Sequence, residues 1–127
     1  MESLIVRWLR AGDAGDVDAF DALLHDDVVV HAPRGLSTSS LEAEKQVWRE
    51  AVAAMPDLRH EVQEVVRDGD VEMARVVVSG TLHQEFGGVA ANGVPFRMDQ
   101  AVICHLEDGK VREAWEIADV GAIDQTS

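Results

Sequence analysis

Two side chains of this sequence have the chemistry for proton transfer near neutral pH, His31 and Glu113. Imidazole titrates close to pH 7, so His31 can pass a proton to or from an enolisable carbon. Glu113 alternates with the apolar Val111 and Trp115, which predicts that it points inward and is partly desolvated. Such a carboxyl suits general acid or base catalysis. A structural hydrogen bond for His31 and an ion pair with an arginine for Glu113 are the competing interpretations.

A second group of side chains is typical of a binding pocket rather than of proton transfer. Its predicted members, taken as substrate-binding residues, are Trp8, Trp48, His60, Leu82, Gln100, Val102 and Trp115. The tryptophans lie on separate elements and would either line a pocket for a flat ligand or fill the core. Gln100 can donate and accept hydrogen bonds at a carbonyl group. His60 alternates with apolar neighbours, a pattern more typical of a satisfied core histidine than of a catalyst.

The elements that must position these residues are three helices followed by a sheet. Apolar spacing predicts helices over 2–12, from Asp16 to about residue 24, and over 41–55, with a short strand at 28–31. Four longer strands are predicted near 58–67, 71–86, 94–106 and 110–119. Tight-turn signals at Asp68-Gly69-Asp70 and Glu107-Asp108-Gly109 favour antiparallel hairpins. This order indicates an α+β fold in which the helices cover one face of the sheet.

Alternation along the strands predicts which side chains face the core. The inward positions are Ala74, Val76, Val78, Gly80 and Leu82, then Phe96, Met98, Gln100, Val102, Cys104 and Leu106, then Val111, Glu113, Trp115 and Ile117. His83 and Asp99 have the opposite parity and are predicted to lie outside, unless a β-bulge rotates them inward.

Length and charge exclude several classes of protein. The 127 residues are enough for one domain, 1–127, and the net charge of −13 disfavours binding to nucleic acid or to anionic membranes. A single cysteine, no signal peptide and no long apolar run predict a soluble cytoplasmic protein. The histidines lack metal-ligand spacing, and residues 87–93 are too loose for a phosphate loop, so no metal and no cofactor are expected.

Four segments together resemble one family. They are Asp26-Asp27-Val28-Val29-Val30-His31-Ala32-Pro33, Pro56-Asp57-Leu58, Gly80-Thr81-Leu82-His83-Gln84-Glu85-Phe86 and Glu113-Ala114-Trp115. Their order resembles the SnoaL-like polyketide cyclases, which belong to the superfamily of nuclear transport factor 2 and ketosteroid isomerase. The resemblance spans nearly the whole chain. It implies a cone in which three N-terminal helices pack on a curved antiparallel sheet.

The resemblance implies two competing functions. One is a cofactor-free cyclase or isomerase that acts on a small apolar or polycyclic carbonyl compound by acid–base catalysis. The other is a non-catalytic ligand-binding or accessory protein, because Leu82 and Val102 stand where the family has its histidine and aspartate. Trp8 and Ala32 likewise replace the tyrosine and the aspartate base of ketosteroid isomerases.

The outer face of the predicted sheet carries more apolar side chains than a solvated face requires. Met73, Val77, Ala101 and Ile103 all fall on it. Such a patch is typical of a protein interface, so a homodimer is expected.

Overall fold

The computed structural model describes residues 2–121 as two α-helices, one 3₁₀ helix and a five-stranded sheet. In chain order the elements are α1 (Leu4–Asp13), the 3₁₀ helix (Val17–Ala22), β1 (Leu24–His31), α2 (Leu41–Ala54), β2 (Arg59–Asp68), β3 (Val71–Thr81), β4 (Pro95–Glu107) and β5 (Lys110–Ala118). The helices pack on one face of a curved sheet, which confirms the predicted α+β cone. Within residues 2–121, no helix is long and apolar enough to cross a membrane.

Two details of the fold differ from the sequence prediction. The sheet order is β1-β5-β4-β3-β2, and β1 runs parallel to β5, with His31 opposite Trp115, so the sheet is mixed rather than wholly antiparallel. The parallel pair arises because β1 and β5 are far apart in the chain and are not joined by a hairpin. The second helix is 3₁₀ and six residues long, since the chain turns at Leu23 directly into β1.

Glu72 anchors α1 to the sheet. This β3 carboxylate is almost fully buried and accepts hydrogen bonds from the Ser3 hydroxyl and from the backbone N–H of Ile5 at 2.9 Å. The Ser3 hydroxyl also caps the helix by accepting from the Val6 N–H. The helix start is therefore attached to the strand layer through one buried acceptor.

A β-bulge at Arg112 decides which side chains of β5 enter the cone. Leu106 lies opposite Val111 and His105 lies opposite Glu113, so Arg112 has no partner on β4. Past this bulge the inward positions of β5 are Ala114, Glu116 and Ala118, and the outward ones are Glu113, Trp115 and Ile117. The prediction that Glu113, Trp115 and Ile117 face inward is wrong, because one extra residue inverts the alternation.

The β3–β4 ladder has no such irregularity. Its register runs unbroken from the pair Val71 and His105 to the pair Thr81 and Pro95. The inward faces predicted for these two strands are therefore confirmed, and His83 and Asp99 remain exposed.

Candidate functional site

A cavity lies between α2 and the concave face of the sheet. It encloses about 870 Å³ counting its open mouth, and within it the centre of a water molecule can move through about 120 Å³. Its wall is mostly apolar, and a few polar side chains converge on it, an arrangement typical of small-molecule sites. Its polar and aromatic residues include Glu44, Trp48, His60, Gln100 and Glu116.

Four of the residues predicted from sequence lie on this cavity wall: Trp48, His60, Leu82 and Gln100. Trp8 and Val102 are fully buried in the hydrophobic core and do not line the cavity. For these two side chains the structure shows the core-filling role.

The predicted proton-transfer residues His31 and Glu113 meet each other, but outside the cavity. His31 Nε2 lies 2.7 Å from Glu113 Oε2, and the two side chains are 46% and 37% exposed. The His31 ring stacks on Trp115, with centroids 5.1 Å apart, and His105 packs against Trp115 from another side. Ion pairs this exposed are screened by water and contribute little stability. These four residues form a polar–aromatic cluster on the outer face of the sheet.

Glu44 is the deepest charged group of the cavity wall. Only 2% of it is exposed, on the buried face of α2. Its Oε1 accepts from the Thr38 hydroxyl at 2.8 Å, and its Oε2 accepts from Trp48 Nε1 at 3.0 Å. Burial raises the pKa of this carboxyl, and the two donated hydrogen bonds oppose that rise. The two donated hydrogen bonds therefore favour the anion, but burial is the larger effect and leaves the pKa of Glu44 above its ordinary value.

Glu116 is the second carboxyl of the cavity, and no described residue donates a hydrogen bond to it. Burial among apolar groups raises its pKa to about 8, and the negative charge of Glu44 adds to the rise. Two neighbouring carboxyls in a poorly hydrated site hold one proton between them. Because Thr38 and Trp48 donate to Glu44 and no described residue donates to Glu116, the shared proton is more favourable on Glu116.

Gln100 completes the polar set. Only 8% of it is exposed, and its buried Oε1 has no hydrogen-bond partner among residues 2–121. A buried carbonyl oxygen without a donor is uncommon and unfavourable. The cavity thus contains a proton donor, an anion and an unused acceptor on an apolar wall.

Sequence reasoning missed both cavity carboxyls. A signal for Glu44 was present, since it lies four residues before Trp48 on the face of α2 that also carries Leu41 and Ala51. For Glu116 no signal was available, because its inward direction depends on the bulge at Arg112.

Comparison with known proteins identifies the family of this chain. A model of the SnoaL-like polyketide cyclase family matches residues 3–126. The chain belongs to this family. A comparison with curated proteins gives no significant match.

Solved structures resemble this SnoaL-like protein over nearly its whole length. IdmH from Streptomyces antibioticus, a candidate polyketide cyclase, is 29% identical, with a TM-score of 0.82 over 97% of this chain and 94% of that one. TsrD from Streptomyces laurentii is 24% identical, with a TM-score of 0.87 over 97% and 90%. A SnoaL-like polyketide cyclase from Agrobacterium tumefaciens is 23% identical, with a TM-score of 0.81 over 98% of both chains. The last two likenesses concern the fold alone.

Proposed function

We propose that this SnoaL-like protein is a cofactor-free enzyme that activates a small apolar carbonyl compound by acid–base catalysis, as a cyclase or isomerase. The observation that carries the proposal is the presence of two carboxyls, Glu44 and Glu116, on the wall of a mostly apolar cavity, where burial raises the pKa of Glu116 to about 8. A carboxylic acid that stays protonated at neutral pH can donate its proton to a carbonyl oxygen as negative charge develops there.

The cavity has the parts that ring closure through an enolate requires. Closure needs a shaped apolar wall to fold the substrate, a donor for the carbonyl oxygen and a base for the carbon acid. The apolar side chains of α2 and β3 supply the wall, and Glu116 supplies the donor. Gln100 Oε1, to which none of the described residues donates, would accept a hydrogen bond from a hydroxyl or enol of the substrate.

Relatives support the proposal at the level of the reaction class. The family is that of polyketide cyclases, and IdmH is described as a candidate polyketide cyclase. The competing function, a ligand-binding protein without catalysis, uses the same cavity but does not need a protonated Glu116.

Filling the cavity is expected to abolish ligand binding and turnover. Ala51 lies on the cavity wall in α2, so Ala51→Leu places a larger side chain in the ligand space. In a panel of cyclic and linear diketones assayed by mass spectrometry, we expect at least a tenfold loss of turnover or affinity. Ala53→Leu, on the exposed side of the same helix, is the matched control and should behave as wild type. Equal behaviour of the two variants, both folded by circular dichroism, would place the site elsewhere.

We further propose a homodimer formed by the outer face of the sheet. Met73, Ile103 and Trp115 lie side by side across three strands, with Ala101 and Ile117 in the neighbouring row. Met73 is 43% exposed and Ile117 is 60% exposed, more than isolated apolar side chains require. Sedimentation should give a dimer for wild type and a monomer for the double variant Met73→Glu, Ile117→Glu. A monomeric wild type at micromolar concentration would exclude this assembly.

A further inference from the structure

His60, on the cavity wall, pairs with the Asp13 carboxylate where β2 meets the end of α1. His60 Nδ1 is 2.7 Å from Asp13 Oδ1, and the backbone N–H of His60 donates to Asp13 Oδ2 at 2.7 Å. The His60 side chain is 8% exposed and that of Asp13 is 18% exposed. One carboxylate thus holds both the backbone and the ring of a buried histidine.

This pairing determines which ring nitrogen is available to a ligand. A carboxylate can only accept, so Nδ1 carries the proton and Nε2 keeps its lone pair. No described residue makes a hydrogen bond to Nε2, although the ring lines the cavity. The Trp48 ring packs on His60 with centroids 5.2 Å apart and limits its rotation. The arrangement is a fixed imidazole with one free acceptor nitrogen.

The surroundings of His60 favour its action as a base. Asp13 on α1 stabilises the imidazolium that forms when Nε2 takes a proton. On α2, Glu44 accepts a hydrogen bond from Trp48, and on β3 the residue opposite His60 is the apolar Val78. His60 also lines a second groove, between α1 and β2, whose charged groups are Arg10, Asp13, Arg59 and Glu64.

We propose that His60 is the general base of this site, with Asp13 as its positioning residue. The proposal rests on the proposed function, in which Glu116 is the acid. His60 Nε2 takes a proton from the carbon next to a substrate carbonyl, and the C–H electron pair becomes the enolate. When that carbon attacks a second carbonyl, the C=O π pair moves to oxygen, which takes the proton of Glu116. His60 then returns its proton to the Glu116 carboxylate through water, so the cycle consumes no co-reactant.

Base and acid come from separate strands of the curved sheet. His60 lies on the edge strand β2, and Glu116 lies on the interior strand β5, with β3 and β4 between them. The two groups therefore approach a bound substrate from different sides, as removal and delivery of a proton at different atoms require.

The base can be tested without the native substrate by using 5-nitrobenzisoxazole. This flat probe loses its C–H proton to a base while its N–O bond breaks to give a coloured nitrophenolate. We expect wild type to exceed free imidazole at equal concentration by at least a hundredfold. His60→Gln should remove most of that rate, whereas His83→Gln, at an exposed histidine, should keep it within about twofold.

The role of Asp13 is tested by separating kcat from KM. Asp13→Asn removes the carboxylate that accepts from both the backbone and Nδ1 of His60, so kcat on the probe should fall about tenfold while KM changes little. A purely structural Asp13 would lower the free energy of unfolding and leave kcat of the folded protein unchanged. Imidazole added to His60→Gly should restore part of the rate.

Two results would overturn this proposal and leave the acid role of Glu116 intact. One is a probe rate for wild type no faster than that of free imidazole. The other is a rate that depends on His31→Gln rather than on His60→Gln, which would place the base outside the cavity. Failure of the proposed function is distinguishable, since it would appear as native turnover that Glu116→Gln leaves unchanged.

Discussion

Replacing Glu116 by glutamine is expected to lower kcat by about 10²–10⁴-fold, the range that a positioned general acid contributes. Glutamine keeps the shape of the side chain and can still donate a hydrogen bond, but it cannot deliver a proton. KM should therefore change little while kcat falls. The measurement is steady-state kinetics on any carbonyl compound that wild type converts.

Glu113→Gln is the comparison variant for this experiment. It makes the same chemical change on the same strand, three residues earlier, at a side chain that lies on the outer face. We expect its kcat within about twofold of wild type. If Glu113→Gln lowered kcat and Glu116→Gln did not, the cavity would not be the active site. The sequence prediction that Glu113 is the catalytic carboxyl would then be correct.

Gly12→Ala is expected to destabilise the protein by about 1–3 kcal/mol, even though alanine favours a helix over glycine. A methyl group at Gly12 would lie 2.4 Å from atoms of the Trp48 ring, closer than two carbon atoms can approach. The ring must shift, and with it the hydrogen bond to Glu44 and the contact with His60. Chemical denaturation measures the change in the free energy of unfolding.

Gly80→Ala is the control for this prediction, because its new methyl group would meet the nearest side-chain atom at 3.4 Å, an ordinary contact. A double-mutant cycle with Trp48→Leu identifies the cause. In the Trp48→Leu variant, Gly12→Ala should leave the free energy of unfolding nearly unchanged or raise it, since the clashing ring is gone. An equal decrease with and without Trp48→Leu would show that the strain does not come from Trp48.

Local patterns in the sequence predicted most of the fold. The apolar spacing of 2–12 and 41–55 and the two Asp-Gly turns located the helices and hairpins to within a few residues. The parallel pairing of β1 with β5 was not predictable from such patterns, because it joins residues more than 80 positions apart. Pairing between such distant residues depends on how the helices pack on the sheet and so on which strands they bring together.

The site was predicted less well, and one residue explains much of the difference. Alternation correctly turned Gln100 and Leu82 inward because β3 and β4 pair without interruption. On β5 the extra residue Arg112 inverted the pattern, so Glu113 was chosen in place of Glu116. Asp13 was not predicted as a site residue, since its contact with His60 spans 47 positions of the chain.

Protonation of Glu116 also links pH to stability. Its pKa rises from 4.5 to about 8 on folding, so between these values the folded protein holds a proton that the unfolded chain has released. Stability contributed by this proton is fully present below pH 4.5 and is lost as the pH rises through 8. Glu116→Gln should remove that part of the pH dependence.

The most direct test of the central claim is an NMR titration of the glutamate side-chain carboxyl carbons in ¹³C-labelled protein. The resonance that disappears in Glu116→Gln identifies Glu116. Its titration midpoint is expected near pH 8, far above the ordinary 4.5 of a glutamate. A midpoint near 4.5 would mean that Glu116 is an anion at neutral pH, and it would contradict its assignment as the proton donor of this SnoaL-like cavity.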